Sequence, residues 1–140
     1  MTTSQPVGDD ARIAANAALM GRYLEGHDSA ALNDDAVFVD VTSGMRWEGP
    51  EAIGGMLDWF YHVAFEAVVE GSRLIVGLEG AALEATFVGR HQGEFAGIPP
   101  TGRTVRVPLA VLYDIAGGQI TGARVHFAVA SFLQQVRDAA

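Results

Sequence analysis

The order of two sequence patterns constrains the fold of this chain more than any other feature. Helical periodicity comes first, and one helix face is predicted by the spacing of Ile13, Ala17, Met20 and Leu24. From about residue 65 the chain changes to strand-like runs, which are separated by glycine-bearing turns at Gly71, Gly80, Gly97 and Gly117-Gly118. Helices followed by a run of antiparallel strands are typical of the α+β class.

The element boundaries follow from local signals. Asp9 or Asp10 is expected to cap a first helix that runs to about Glu25 and ends at Gly26 and His27. A short helical turn over residues 28–35 and a strand over residues 36–41 should follow. A second helix begins at Pro50, and residues 119–133 are predicted to be the last strand. We expect residues 1–9 to form a flexible tail and residues 10–137 a single domain.

Composition excludes several classes of function. The chain has 140 residues with no cysteine and no lysine, which removes disulfides, thiol nucleophiles, Schiff-base catalysis and lysine-containing phosphate loops. A net charge of −8 argues against nucleic-acid binding. No apolar run approaches the roughly 20 residues of a membrane helix, and the first ten residues do not resemble a secretory signal. We therefore expect a cytoplasmic protein that binds no membrane.

Asp40 is the first candidate for chemistry. It ends the predicted strand, and strand alternation places it on the same face as Phe38. If that face is interior, the carboxylate is costly to keep ionised and becomes a candidate proton carrier. The alternative is a strand-end aspartate that faces water or accepts hydrogen bonds from a turn.

Tyr23, His91 and His126 are the other candidate catalytic residues. Tyr23 lies at the edge of the first helix stripe, either as a core residue or as a donor to a developing oxyanion. His91 shares a strand face with small and apolar residues, which also suits a buried core histidine. His126 lies opposite the more apolar face of the last strand. Two histidines without a spaced carboxylate are a weak metal signal, so we assign no metal.

Aromatic residues could line a pocket or simply fill the core. Four of them surround the end of the second helix, namely Trp59, Phe60, Tyr61 and Phe65. A pocket wall of this kind would suit a flat, ring-containing ligand. The candidate substrate-binding residues are Phe38, Trp59, Phe60 and Phe127.

Two segments resemble known families. "LMGRYLEG" with "DDAVFVDVTSGMRWEGPEAIGGMLDWFY" resembles the front half of ketosteroid isomerases and SnoaL-like polyketide cyclases. "GRHQGEFAGIPPTGRTVRVPLAVLYDIAGGQI" resembles the back half of the SnoaL-like cyclases. The resemblance covers residues 13–136. It implies the cone-shaped fold of nuclear transport factor 2-like proteins, with three N-terminal helices packed on a curved, mostly antiparallel sheet that encloses a pocket.

The resemblance also implies roles for individual residues. Asp40 falls where ketosteroid isomerases have their general base, and Tyr23 where they have the oxyanion-binding tyrosine; this isomerase is a standard example of tuned carboxylates. His91 is expected to point into the pocket, with the Pro-Pro-Thr-Gly turn at its mouth. Two family acids are missing, because Leu109 and Ala128 occupy their positions. His126 or His91 is a candidate replacement.

The function implied is an isomerase or cyclase that needs no cofactor. It would remove a proton next to a carbonyl of a small hydrophobic, ring-containing molecule, such as a polyketide or a steroid-like compound. The alternative is a non-catalytic binding module that uses the same pocket, and a third interpretation is epoxide opening by paired carboxylates. By resemblance, a homodimer is expected through the outer face of the sheet, with Arg106 and Leu112 among the contacts.

Overall fold

The computed structural model describes residues 5–137. Two α-helices lie in the first half of the chain, α1 (Gln5–Gly26) and α2 (Pro50–Asp58), and a third, α3 (Val129–Arg137), follows the last strand. A short 3-10 helix (Ser29–Ala31) follows α1, and a π-helical segment (Trp59–Ala64) continues α2. The strands are β1 (Leu32–Asp40), β2 (Arg46–Glu48), β3 (Phe65–Val76), β4 (Gly80–His91), β5 (Thr104–Ala116) and β6 (Gln119–Phe127).

The six strands form one open sheet in the order β2-β1-β6-β5-β4-β3. All neighbouring pairs are antiparallel except β1 and β6, which run parallel. The long strands β3, β4 and β5 come from the half of the sequence in which strand-like runs alternate with glycine turns. The α+β class is therefore confirmed.

One face of the sheet carries the core. Burial alternates residue by residue along β4 and β5, as expected for a sheet with one covered face. Helix α1 covers this inner face with Leu19, Met20 and Tyr23, and Ile53 of α2 and Phe132 of α3 complete the core. No helix within residues 5–137 is long and apolar enough to cross a membrane.

The buried face of α1 differs from the predicted stripe. Its buried positions are Asn16, Leu19, Met20 and Tyr23, whereas Ala17 is exposed. The many alanines of this helix fit more than one stripe, and the polar Asn16 obscured the correct one. Its side-chain amide donates hydrogen bonds to the carbonyls of Gly77 and Leu78, at 3.0 and 3.1 Å. Tyr23 therefore lies within the buried face and not at its edge.

The start of α1 and the start of β1 also differ from the prediction, whereas α1 ends at Gly26 as predicted. α1 is already helical at Gln5, so Asp9 and Asp10 lie inside it and do not cap it. The first four residues of the expected tail lie outside the described residues. After the 3-10 turn, β1 begins at Leu32, earlier than predicted.

Two other predicted boundaries are wrong. Gly71 does not separate two strands, because β3 runs through it with a bulge between Glu70 and Arg73. Gly71 has a φ of +62°, which glycine adopts without strain. Residues 129–133 are helical and not part of the last strand, so the third helix lies at the C-terminal end and not before the sheet. The apolar run "FAVASFL" fits either structure by its pattern.

Candidate functional site

A cavity of about 370 Å³ lies between α1, the α2–π-helical segment and the inner face of the sheet. Its volume falls within the range of roughly 300–1,000 Å³ that is usual for small-molecule pockets. The wall is mostly apolar, and its apolar side chains include Leu24, Phe38, Met56, Leu57, Phe60, Leu83, Leu109 and Val111. The polar side chains on the wall belong to Tyr23, Glu25, His27, Tyr61, Ser72 and Tyr113.

Three tyrosines form the largest polar group on the wall, and we call Tyr23, Tyr61 and Tyr113 the tyrosine cluster. The rings of Tyr23 and Tyr113 meet edge to face, with centroids 5.8 Å apart. Burial raises the pKa of Tyr23, and the nearby Tyr113 and Tyr61 hydroxyls raise it further. Burial likewise raises the pKa of Tyr61 to about 12 and raises the pKa of Tyr113. All three phenols therefore stay protonated at neutral pH and can donate hydrogen bonds.

His27 lies beside the tyrosine cluster. Its imidazole centroid is 5.3 Å from the Tyr23 ring and 5.3 Å from the Tyr61 ring. Burial lowers the pKa of His27, and the neighbouring His62 lowers it further. The imidazole is therefore neutral at pH 7 and can accept a proton.

Of the four predicted substrate-binding residues, two line the cavity and two do not. Phe38 and Phe60 lie on the cavity wall. Trp59 is 40% exposed and packs on Phe95, and Phe127 is buried against Phe60 and other rings of the core. Leu109, which stands where the resemblance implied an acid, is an apolar part of the wall.

Asp40 is not among the residues that line the cavity. Its carboxylate accepts a hydrogen bond from the Ser43 hydroxyl at 2.8 Å and one from the Thr42 N–H at 3.2 Å. Its backbone N–H donates to the carbonyl of Met45. The side chain thus organises the turn between β1 and β2, as in the alternative that the sequence left open.

His91 lies in the core and not on the wall of this cavity, contrary to the expectation. Its Nδ1 accepts from the backbone N–H of Thr101 at 3.3 Å and lies 3.0 Å from the Thr101 hydroxyl. The ring packs between Phe65 and Phe132. Burial lowers the pKa of His91, and Nε2 is buried without a hydrogen-bond partner. His91 therefore fixes the loop that contains the two prolines.

His126 lies on the outer face of the sheet and does not line the larger cavity. It is exposed, and it is paired with Ala110 across the β5–β6 ladder. Its side chain borders a shallow depression of about 230 Å³ together with Glu84 and Pro108. Of the four predicted catalytic residues, only Tyr23 lines the larger cavity. Within residues 5–137 no group of three or more His, Asp and Glu side chains is placed to hold a metal ion.

The sequence contained signals for the residues that the prediction missed. Tyr113 follows Leu109 and Val111 at alternate positions of β5, which marks a shared inner face. Tyr61 was recognised only as one member of an aromatic group. His27 was interpreted only as the end of a helix, although it follows a glycine that would ordinarily fill that role.

Comparisons with known proteins agree with this architecture. The family model described as SnoaL-like polyketide cyclase matches residues 17–136. No curated protein sequence matches the chain. A proposed polyketide cyclase from Xanthomonas campestris pv. campestris has a similar structure, with a TM-score of 0.77 and 18% identity over 89% of this chain and 98% of that one.

Two further structures show how varied such relatives are. A protein from Catenulispora acidiphila, described as having a ketosteroid isomerase-like fold, gives a TM-score of 0.64 at 21% identity, covering 89% of this chain and 90% of that one. AclR from Streptomyces galilaeus, described as a proposed hydroxylase, gives 0.69 at 18% identity, covering 89% and 86%. At these identities the likeness establishes the fold alone.

Proposed function

Since the chain belongs to the SnoaL-like polyketide cyclase family, we propose that it isomerises or cyclises a small ring-containing carbonyl compound inside the tyrosine-lined cavity. The reaction would begin with removal of a proton next to the carbonyl. The observation that supports this function is the cluster of three protonated phenols on the wall of an otherwise apolar cavity.

The tyrosine cluster would stabilise the enolate. Removing a proton next to a carbonyl leaves negative charge on the carbonyl oxygen, and preorganised donors aimed at that oxygen lower the barrier. Tyr23 and Tyr113 are nearly fully buried, at 1% and 5% exposure, so few waters compete for their hydroxyls. Hydrogen bonds to charge are stronger in such an environment than in water.

The apolar wall would select the substrate. Phe38, Phe60 and Leu109 contribute flat and branched hydrocarbon surfaces to the same cavity wall as the phenols. Because the cavity volume lies near the lower end of the usual range, a molecule of two or three rings suits it better than a larger one.

A non-catalytic binding module is the second candidate function. It is favoured by the position of Asp40, whose carboxylate is engaged by Ser43 and Thr42, and by the apolar Leu109 at a position where the resemblance implied an acid. Such a module would use the same phenols to hold a carbonyl oxygen without promoting proton transfer.

The test follows deuterium incorporation from D₂O into 2-tetralone, a bicyclic ketone with acidic hydrogens beside its carbonyl. We expect Tyr23→Phe and Tyr113→Phe each to lower the enzyme-catalysed exchange by roughly 10²–10³-fold, the usual effect of losing one oxyanion donor. Thr86→Val, which removes a hydroxyl from the outer face of β4, should change nothing. Full exchange in both tyrosine variants would contradict the proposal, and binding without any exchange in wild type would favour the binding module.

We also propose that two chains pair through the outer face of the sheet. Leu112, Val68 and Ile75 are 41%, 59% and 59% exposed there. Ion pairs between Arg106 and Glu70 and between Arg124 and Asp114 lie on the same face of the sheet. Light scattering after size exclusion should give twice the monomer mass, and Leu112→Glu should restore the monomer. A monomeric wild type at micromolar concentration would refute this pairing.

A further inference from the structure

The backbone at the end of α1 is unusual. His27 adopts a left-handed conformation with a φ of +54°, and its N–H donates to the carbonyl of Tyr23 at 2.6 Å. Helices commonly end this way, but the left-handed residue is usually glycine. Gly26 is the preceding residue, and its own φ is not positive. The chain therefore places the strained conformation on the histidine although a glycine is adjacent.

The residue with this conformation also lies at the cavity. His27 lies on the wall between Tyr23 of α1 and Tyr61 of the π-helical segment. Left-handed residues other than glycine cost roughly 1 kcal/mol or more, and they concentrate at functional sites. Histidine is among the residue types that tolerate this region best.

The charged and titratable groups around His27 favour its neutral form. The facing phenols of Tyr23 and Tyr61 are uncharged, and the Coulombic effect of His62, which lies 3.9 Å from Glu66, helps to lower the pKa of His27. Glu25 is the carboxylate that contributes to the same wall, and its side chain is mainly solvent-exposed. Asp40, by contrast, is occupied by its own turn.

We infer that His27 is a catalytic residue of the cavity, and that it removes the proton next to the substrate carbonyl. This inference rests on the proposed function. The role of base was expected of Asp40 by resemblance, whereas His27 is the neutral base that lies beside the tyrosine cluster.

The step is balanced without any further reagent. The C–H bond next to the carbonyl breaks, its proton moves to an imidazole nitrogen, and its electron pair becomes the enolate held by the phenols. In an isomerisation, the imidazolium returns the proton to another carbon of the same conjugated system. In a cyclisation, the enolate carbon attacks a second carbonyl, and the resulting alkoxide takes the proton. Either product is an isomer of the substrate.

The experiment measures deuterium exchange into 2-tetralone by wild type, His27→Asn, His27→Gly and Asp40→Asn. Asparagine tolerates the left-handed backbone and glycine relaxes it, so neither replacement strains the helix end. Both should slow exchange by at least about 100-fold, as expected for a lost general base. Added imidazole should restore part of the rate in His27→Gly but not in His27→Asn. Asp40→Asn should stay within a few-fold of wild type.

A pH profile adds a second readout. Exchange by wild type should fall as His27 becomes protonated, with a midpoint below 6.5 because its pKa is lowered. His62→Gln, a matched control outside the cavity, should keep the plateau rate and move this midpoint upward. If the exchange rate of both His27 variants no longer falls at low pH, that result would support the inference.

The possible results distinguish a failure of the role of His27 from a failure of the proposed function. Wild-type rates in both His27 variants, together with slow exchange in Tyr113→Phe, would overturn the role of His27 and leave the proposed function intact. Loss of exchange in Asp40→Asn alone would overturn it in favour of the carboxylate. No exchange in wild type despite binding would overturn both.

Discussion

Two aromatic clusters lie next to each other in this protein, and they differ in what they enclose. The phenylalanine cluster, consisting of Phe60, Phe65, Phe87, Phe95, Phe127 and Phe132, packs ring against ring with centroids 4.7–5.8 Å apart. The tyrosine cluster borders open space instead. Tyr61 joins the two through contacts with Phe60 and Phe87. Of the phenylalanine cluster only Phe60 also lies on the cavity wall, whereas all three members of the tyrosine cluster lie on it.

The two clusters also contain different histidines. His91 lies within the phenylalanine cluster and holds Thr101, whereas His27 lies within reach of the cavity. Both have a lowered pKa, mainly because burial disfavours the charged form. A shifted pKa therefore does not distinguish a structural histidine from a functional one, and the surroundings of the ring do.

The largest change in the free energy of unfolding is expected when the phenylalanine cluster is disrupted. Phe65 is fully buried and contacts five other aromatic rings. Phe65→Ala should lower the free energy of unfolding by about 3–5 kcal/mol, because it leaves a cavity among rings that cannot collapse. Urea unfolding measures this change. Tyr113→Phe keeps the ring and removes only a hydroxyl of the cavity wall, so it should cost less than about 1 kcal/mol; a larger loss would mean that this hydroxyl supports the fold and is not free to bind a ligand.

A smaller effect concerns the histidine in the phenylalanine cluster. His91→Leu removes the acceptor of the Thr101 N–H and should cost about 1–3 kcal/mol at pH 7.5. Because folding lowers the pKa of His91, the unfolded chain binds more protons as the pH falls below 6.5. The wild type should therefore lose stability on acidification through this range, and His91→Leu should lose less. Parallel pH curves for the two proteins would contradict this assignment.

The general architecture could be predicted because the helical and strand-like patterns are local to their segments of the sequence, and the burial along β4 and β5 follows the period of two expected for strands. The details that failed depend on tertiary contacts. The buried face of α1 includes the polar Asn16, whose partners Gly77 and Leu78 lie 61 and 62 residues away. The bulge at Gly71 and the helix after Phe127 reflect packing that local patterns do not encode.

The site was predictable only in part, for a similar reason. Tyr23 was identified by its place on α1, but Tyr61 and Tyr113 join it from distant elements. Asp40 shares a strand face with Phe38, yet it lies at the end of β1. There its carboxylate accepts hydrogen bonds from Ser43 and Thr42 of the following turn. His27 depends on a left-handed backbone that no periodicity reveals.

The infrared carbonyl stretch of bound 2-tetralone tests the central claim most directly, since its frequency falls when phenols donate to the oxygen. We predict a lower frequency in the wild-type complex than in a hydrocarbon solvent, and a return toward the solvent value in Tyr23→Phe and Tyr113→Phe. A wild-type frequency equal to that in hydrocarbon would contradict the claim that the tyrosine cluster binds the carbonyl.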